Sequence, residues 1–209
     1  MTLSDFNVPD THFKRFANAA WARAPRALPV LSLTLLIFSP GQPFIVVAQE
    51  RTMTLTLTSQ AFRQNGEIPT QHTCQGADVS PPLEWSGVPA STKSLALIVD
   101  DPDAPDPAAP KITWVHWVLY NIPPAATRLP DGAAAQALPA GTREGINDFK
   151  RAAYGGPCPP VGRHRYFHKL YALDTVLPDL KKPSKAVLEK AMQGHVLAHA
   201  ELIGTYQKR

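Results

Sequence analysis

The sequence predicts a single mainly-β domain behind a separate leader. Three observations carry this. Twenty-two prolines in 209 residues argue for a loop-rich, strand-rich body, because an interior proline removes a helical hydrogen bond and clashes with the preceding turn. Four segments read as strands, by strict alternation or by short apolar runs rich in β-branched residues. The composition, 44% hydrophobic and 18% charged, suits one globular core.

Residues 1–48 read as a targeting segment. A basic stretch from Lys14 to Arg26 precedes the apolar run Leu28–Phe38, followed by the breaker Ser39-Pro40-Gly41 and the small-residue site Val46-Val47-Ala48. That order suits a signal peptide cleaved before Gln49. The apolar run falls short of the ~20 residues a membrane-spanning helix needs, so a retained anchor is the weaker alternative. The expected mature domain is 49–209, periplasmic or secreted. Four of the 21 basic and two of the 17 acidic residues lie in the leader, so the remainder carries a charge near +2. No basic stripe is interleaved with stacking aromatics, which argues against nucleic-acid binding.

Within the domain, Met53–Thr58 alternates as a half-buried strand, and Asn65-Gly66 and Ile68-Pro69 mark turns. A polar loop, 74–85, leads to Trp85, expected in the core. Ser94–Val99 is a short apolar run with β-branched residues, expected as a buried strand that stops at Asp100, since Asp-Pro-Asp-Ala-Pro cannot continue a ladder. Ile112–Tyr120 resumes as a strand. A period of two puts Trp114 and His116 on one face and Val115 and Trp117 on the other. Residues 121–150 form a long excursion with at most one helical turn at Ala133–Leu138, expected to pack over a pocket mouth. Gly155-Gly156 permits close backbone approach, and Pro157, Pro159 and Pro160 stiffen the loop. Arg163–Leu173 is a strand placing His164, Tyr166 and His168 on one face. From Ser184, a fair N-cap, Lys185–Leu202 has helical spacing with Gly204 as its stop. This would set His195 and His199 on one helix face, a pair too small to make a metal site.

The candidate site comes from two stretches, Asp100 to Trp117 and Tyr154 to Tyr171. Each brings a histidine, and the first adds a rigid carboxylate turn and an indole. Imidazolium, phenol and backbone N–H groups attract phosphate or carboxylate. A carboxylate beside an imidazole holds the ring in place. The pattern points to a small, preorganised pocket for an anionic head group.

Asp-Pro-Asp-Ala-Pro followed by Trp-x-His-Trp, Ser-Pro-Pro-Leu-x-Trp near residue 80, and Gly-Pro-Cys-Pro-Pro followed by His-Arg-Tyr resemble the conserved blocks of the phosphatidylethanolamine-binding protein family, which includes the bacterial Raf-kinase-inhibitor-like proteins. The resemblance covers nearly all of 53–209. It implies an antiparallel β-sandwich with a few peripheral helices. It also implies a ligand pocket built from Asp101, Trp114, His116, His164 and Tyr166, with Asp103 in support and Gly156 and Pro157 beside it. The interval Val161-Gly162-Arg163 is shorter than in the bacterial members, so a changed rim, with Arg163 reaching in, is expected. Cys74 and Cys158 are the only cysteines. Paired, they would close a loop worth roughly 3–5 kcal/mol; two free buried thiols are the alternative.

The expected function is a non-enzymatic binding protein for phosphate-type or phospholipid head groups, needing no cofactor and no metal. No nucleophile elbow, phosphate-cradling loop or dinucleotide fingerprint occurs. Two alternatives stand beside it. One is an inhibitor of a protease- or kinase-type protein partner acting through the 121–163 loops. The other is a small-molecule hydrolase or lyase using Asp101 and His116. A homodimer is compatible with either binding role. For an exported protein the Raf label reads as homology, not activity.

Overall fold

The computed structural model describes residues 54–136 and 138–209. The proposed leader and Met53 lie outside the described residues. The strands are β1 (Thr56–Thr58), β2 (Gly66–Glu67), β3 (Leu83–Ser86), β4 (Ser94–Asp101), β5 (Trp114–Ile122), β6 (Arg128–Leu129), β7 (Arg143–Glu144), β8 (Arg163–Leu173) and β9 (Val196–Gln207). Two short helices, α1 (Ala133–Gln136) and α2 (Lys185–Met192), and one 3-10 turn at Thr70–His72 complete them. A three-stranded sheet runs β1-β3-β6, and a six-stranded sheet runs β2-β9-β8-β4-β5-β7. All pairings are antiparallel except β2 with β9.

The two sheets share one core. Leu57, Leu83, Trp85 and Leu129 of the small sheet pack with Leu95, Leu97, Val99, Leu119, Leu170 and Leu202 of the large one. Trp85 is buried there, its indole N–H donating to the Ala126 carbonyl at 2.7 Å. The outer face of the large sheet is covered by α2 through Ile98, Val118, Tyr120, Leu188 and Met192. β4 is therefore buried on both faces along its whole length, which is why it reads as an unbroken apolar run rather than an alternating one.

Alternation along β4 gives its two terminal carboxylates opposite fates. The strand runs two residues past its expected end. Asp100 falls on the α2 face, where its fully buried carboxylate accepts from Lys169 Nζ at 2.9 Å and Lys185 Nζ at 2.5 Å. Asp101 falls on the sandwich face with Leu97 and Val99.

Two local expectations are corrected. Trp117 does not share a face with Val115. Val99 pairs with Trp117 and Asp100 with Val115, so His116 is an extra residue in β5. This bulge brings both His116 and Trp117 to the sandwich side, while Val115 packs outward. The C-terminal helix ends at Met192, not Leu202. Ser184 does cap it, its Oγ accepting from the Val187 N–H at 3.4 Å. Gly194, at φ +80°, then turns the chain into β9. His195 lies in the turn, donating to Asp174 Oδ1 at 2.8 Å, and His199 lies on β9 against Tyr171. Gly204 is no helix stop: a Cβ there would sit 2.5 Å from Ile68.

Candidate functional site

At one end of the sandwich face, β4, β5 and β8 and two loops enclose a cavity of about 290 Å³. Asp101 comes from the end of β4 and pairs across the ladder with Trp114 of β5. His116 enters through the bulge two residues on. His164 and Tyr166 come from the buried side of β8. All five line the cavity, and chain segments some fifty residues apart thus meet in one concavity.

The polar groups divide into satisfied and unsatisfied sets. Asp101 is 3% exposed and fully engaged: Oδ1 accepts from the Asp103 N–H at 2.8 Å, and Oδ2 accepts from His164 Nδ1 at 2.7 Å. His164 Nε2 lies 3.0 Å from the Val161 carbonyl. Both its nitrogens thus face protein oxygens. His164 therefore contributes shape to the cavity but no free hydrogen-bonding atom.

His116 differs. Its Nδ1 lies 2.6 Å from the Gly155 carbonyl, which can only accept, so Nδ1 carries the proton. Nε2 is buried without a partner. Burial holds the His116 pKa below its ordinary value; the Gly155 carbonyl and the Asp101 carboxylate oppose that shift without reversing it. Tyr166 Oη is likewise buried and unpartnered, and burial raises its phenol above the usual range, keeping it protonated. Unpaired buried polar atoms are rare and costly. Here two belong to neighbouring rings, 5.1 Å apart and edge-to-face, on the wall of one cavity.

The remaining expected site residues stand behind this wall. Asp103 does not line the cavity. It accepts from Arg165 Nε at 2.9 Å, from a second guanidinium nitrogen at 2.7 Å and from the Arg165 backbone N–H at 2.9 Å. These bonds hold its carboxyl below the usual carboxylate range. Gly156 donates to Asp78 Oδ1 at 2.7 Å, and a Cβ there would sit 2.4 Å from the His72 carbonyl. Its smallness serves loop-to-loop packing. The Pro157 carbonyl accepts from the Cys74 N–H at 3.1 Å. Cys74 and Cys158 form a disulfide beside that bond, which ties the loop carrying Cys158, Pro159 and Pro160 as the cavity's outer wall. Arg163 does not reach in. It alternates to the exposed side of β8 and lies 3.6 Å from Glu67.

Sequence reasoning missed the apolar part of the lining: Ala104, Pro105, Ile112 and Phe149. Phe149 packs edge-to-face on both Trp114 and His116, at 5.4 and 5.6 Å. A Cβ on Gly155 would lie 2.5 Å from that ring, so Gly155, not Gly156, is the glycine the cavity wall requires. Asn147 sets the loop: its side-chain amide donates to the His116 and Ala153 carbonyls and accepts from Arg151 N–H. The available signal was the 121–150 excursion, expected to pack over a pocket mouth.

Comparison with known proteins places this geometry. The family model described as phosphatidylethanolamine-binding protein matches residues 58–207. The UPF0098 protein of Methanothermobacter thermautotrophicus is 50% identical over 155 residues, covering 74% of this chain and 99% of that protein. A phosphatidylethanolamine-binding protein homologue of Chlamydia trachomatis superposes with a TM-score of 0.69 at 43% identity, over 75% of this chain and 99% of the other. Escherichia coli YbcL, described as a new member of the mammalian family, gives 0.67 at 36% identity, over 74% and 99%. With a family model matching 58–207, a relative 50% identical and solved homologues that superpose at TM-scores of 0.69 and 0.67, this chain belongs to the phosphatidylethanolamine-binding protein family.

Proposed function

We propose that the chain is a non-enzymatic binding protein whose cavity receives a small oxyanion of the phosphate or phospholipid head-group type. The observation that carries this is the pair of buried, unpartnered atoms, His116 Nε2 and Tyr166 Oη, on the wall of a cavity of head-group size. A ligand oxygen bonded to both would remove two desolvation costs at once. The Trp114 and Phe149 rings would pack on the ligand's apolar part.

A hydrolase or lyase is the weaker reading. The one sulfur in the lining, that of Cys158, is held in the disulfide, and both oxygens of Asp101 are engaged by protein groups, leaving it poorly placed as a base. Cys74 and Cys158 are both exposed, so an intact bond supports residence in an oxidising, exported compartment.

The test is an NMR titration of the imidazole protons with inorganic phosphate. Saturable shifts at His116, lost in His116→Ala, are expected. Shifts confined to exposed histidines such as His195 and His199 would refute the reading.

A further inference from the structure

We infer that the cavity selects an oxyanion that brings its own O–H, such as hydrogenphosphate or a singly protonated phosphomonoester, over one that has none, such as sulfate or a phosphodiester, and that His116 Nε2 makes the selection. This rests on the anion-pocket reading above and narrows its ligand class.

The argument is one of donors and acceptors. The Gly155 carbonyl fixes the His116 proton on Nδ1, so Nε2 presents a bare lone pair. Among the described residues, no lysine or arginine lines the cavity. Asp101 and His164 are already saturated by each other, by the Asp103 N–H and by the Val161 carbonyl. Of the side-chain donors in the described lining, Tyr166 Oη is the one that is both buried and unpartnered. A ligand with one O–H and one free oxygen satisfies both atoms: its hydroxyl donates to Nε2, and its oxygen accepts from Tyr166. A fully deprotonated oxyanion meets Tyr166 but sets an oxygen against the Nε2 lone pair. A buried acceptor left facing an acceptor forfeits its hydrogen bond and adds repulsion.

The charged and titratable groups around His116 set how long this holds. Asp100 and Asp101 of β4 and Asp78 of the neighbouring loop favour its charged form. His168 of β8, whose own protonation a charged His116 opposes, and His164 and Tyr166 complete that face. Burial outweighs the carboxylates and keeps the ring neutral at and somewhat below neutral pH. When acid finally protonates Nε2, it becomes a donor, and sulfate or a diester binds with uptake of one proton. Discrimination is therefore greatest near neutrality and fades as pH falls. Membrane phospholipids are diesters, so the lipid head group is the disfavoured source at neutral pH.

The experiment measures affinities of the full chain for inorganic phosphate, sulfate and dimethyl phosphate by NMR or calorimetry, near pH 7.5 and again near pH 5. A discrimination of roughly tenfold or more for phosphate at the higher pH is expected, the loss of one buried hydrogen bond. Sulfate should tighten in acid. Tyr166→Phe should weaken phosphate and sulfate alike, leaving their ratio unchanged. Sulfate binding as tightly as phosphate at neutral pH, with no proton uptake, overturns the selection while sparing the anion pocket. If none of the three anions shifts His116, the pocket reading itself falls.

Discussion

The histidine that the cavity does not use gives the sharpest test of the packing. His168 sits on β8, 1% exposed, with its ring 5.3 Å from that of Phe62. Burial pushes its pKa down to about 4. In the unfolded chain the ring titrates near its ordinary ~6.5. Between these two values the unfolded state binds the proton that the folded state refuses. The contribution of His168 is therefore complete above about pH 6.5, is lost as pH falls through that window, and is fully lost near pH 4. A difference of ~2.5 pH units at 1.36 kcal/mol each gives a loss of about 3 kcal/mol, or roughly 6–12 °C in Tm for a domain of this size. The comparison is wild type against His168→Leu, by urea unfolding at several pH values. The variant is needed because other groups also titrate: Asp103, held low by Arg165, likewise loses its stabilising contribution in acid. The stability difference between the two proteins should shift by about 3 kcal/mol in the variant's favour from pH 7 to pH 4. Parallel curves would refute the claim that His168 is buried as a neutral ring.

Four further outcomes are expected. Tyr166→Phe should leave Tm unchanged or higher, because the hydroxyl it deletes is buried and unpartnered, while weakening phosphate binding about five- to tenfold; calorimetry measures both. Gly155→Ala drives a methyl group into the Phe149 ring and should cost about 1–3 kcal/mol, with a change in Trp114 fluorescence as its packed neighbour moves. Reducing the disulfide, or replacing Cys74 and Cys158 with alanine, should cost about 3–5 kcal/mol from its 84-residue separation, read from thermal melts with and without reductant. Replacing both Lys169 and Lys185 with methionine strips the fully buried Asp100 carboxyl of its two cationic partners and should cost about 3–5 kcal/mol. Asp100→Asn should cost less, since both lysines retain some solvent access; urea denaturation distinguishes them.

What the sequence disclosed depended on whether the signal was local. β8 matched its expected bounds, Arg163–Leu173, because one side is buried throughout and the alternation is uninterrupted. Trp114, His116, His164 and Tyr166 were legible as types on two strands that each carried a histidine, and Asp101 through the carboxylate turn beside the first. The bulge at His116 was not, since it exists only relative to the register of β4. The C-terminal error has a similar cause. The helical spacing of Val187, Leu188, Ala191 and Met192 happens to continue through His195, Val196 and His199. A competing alternation, Ala200, Leu202, Gly204 and Tyr206, marks the true strand, and these residues are mostly buried against β8. Tertiary pairing decided between the two periods. The saturation of His164 and the openness of His116 were equally hidden, because they turn on two backbone carbonyls, those of Val161 and Gly155, that no side-chain pattern announces.

The supernumerary residue in β5 makes this receptor sensitive to chain length in a way that point substitution would never reveal. Deleting Val115 would restore an even ladder with β4, and then only one of the His116 imidazole and the Trp117 indole could remain inward. Every polar residue of the cavity would survive and the receptor would still vanish. Anyone transplanting it to another sandwich must carry the paired strands together with their offset.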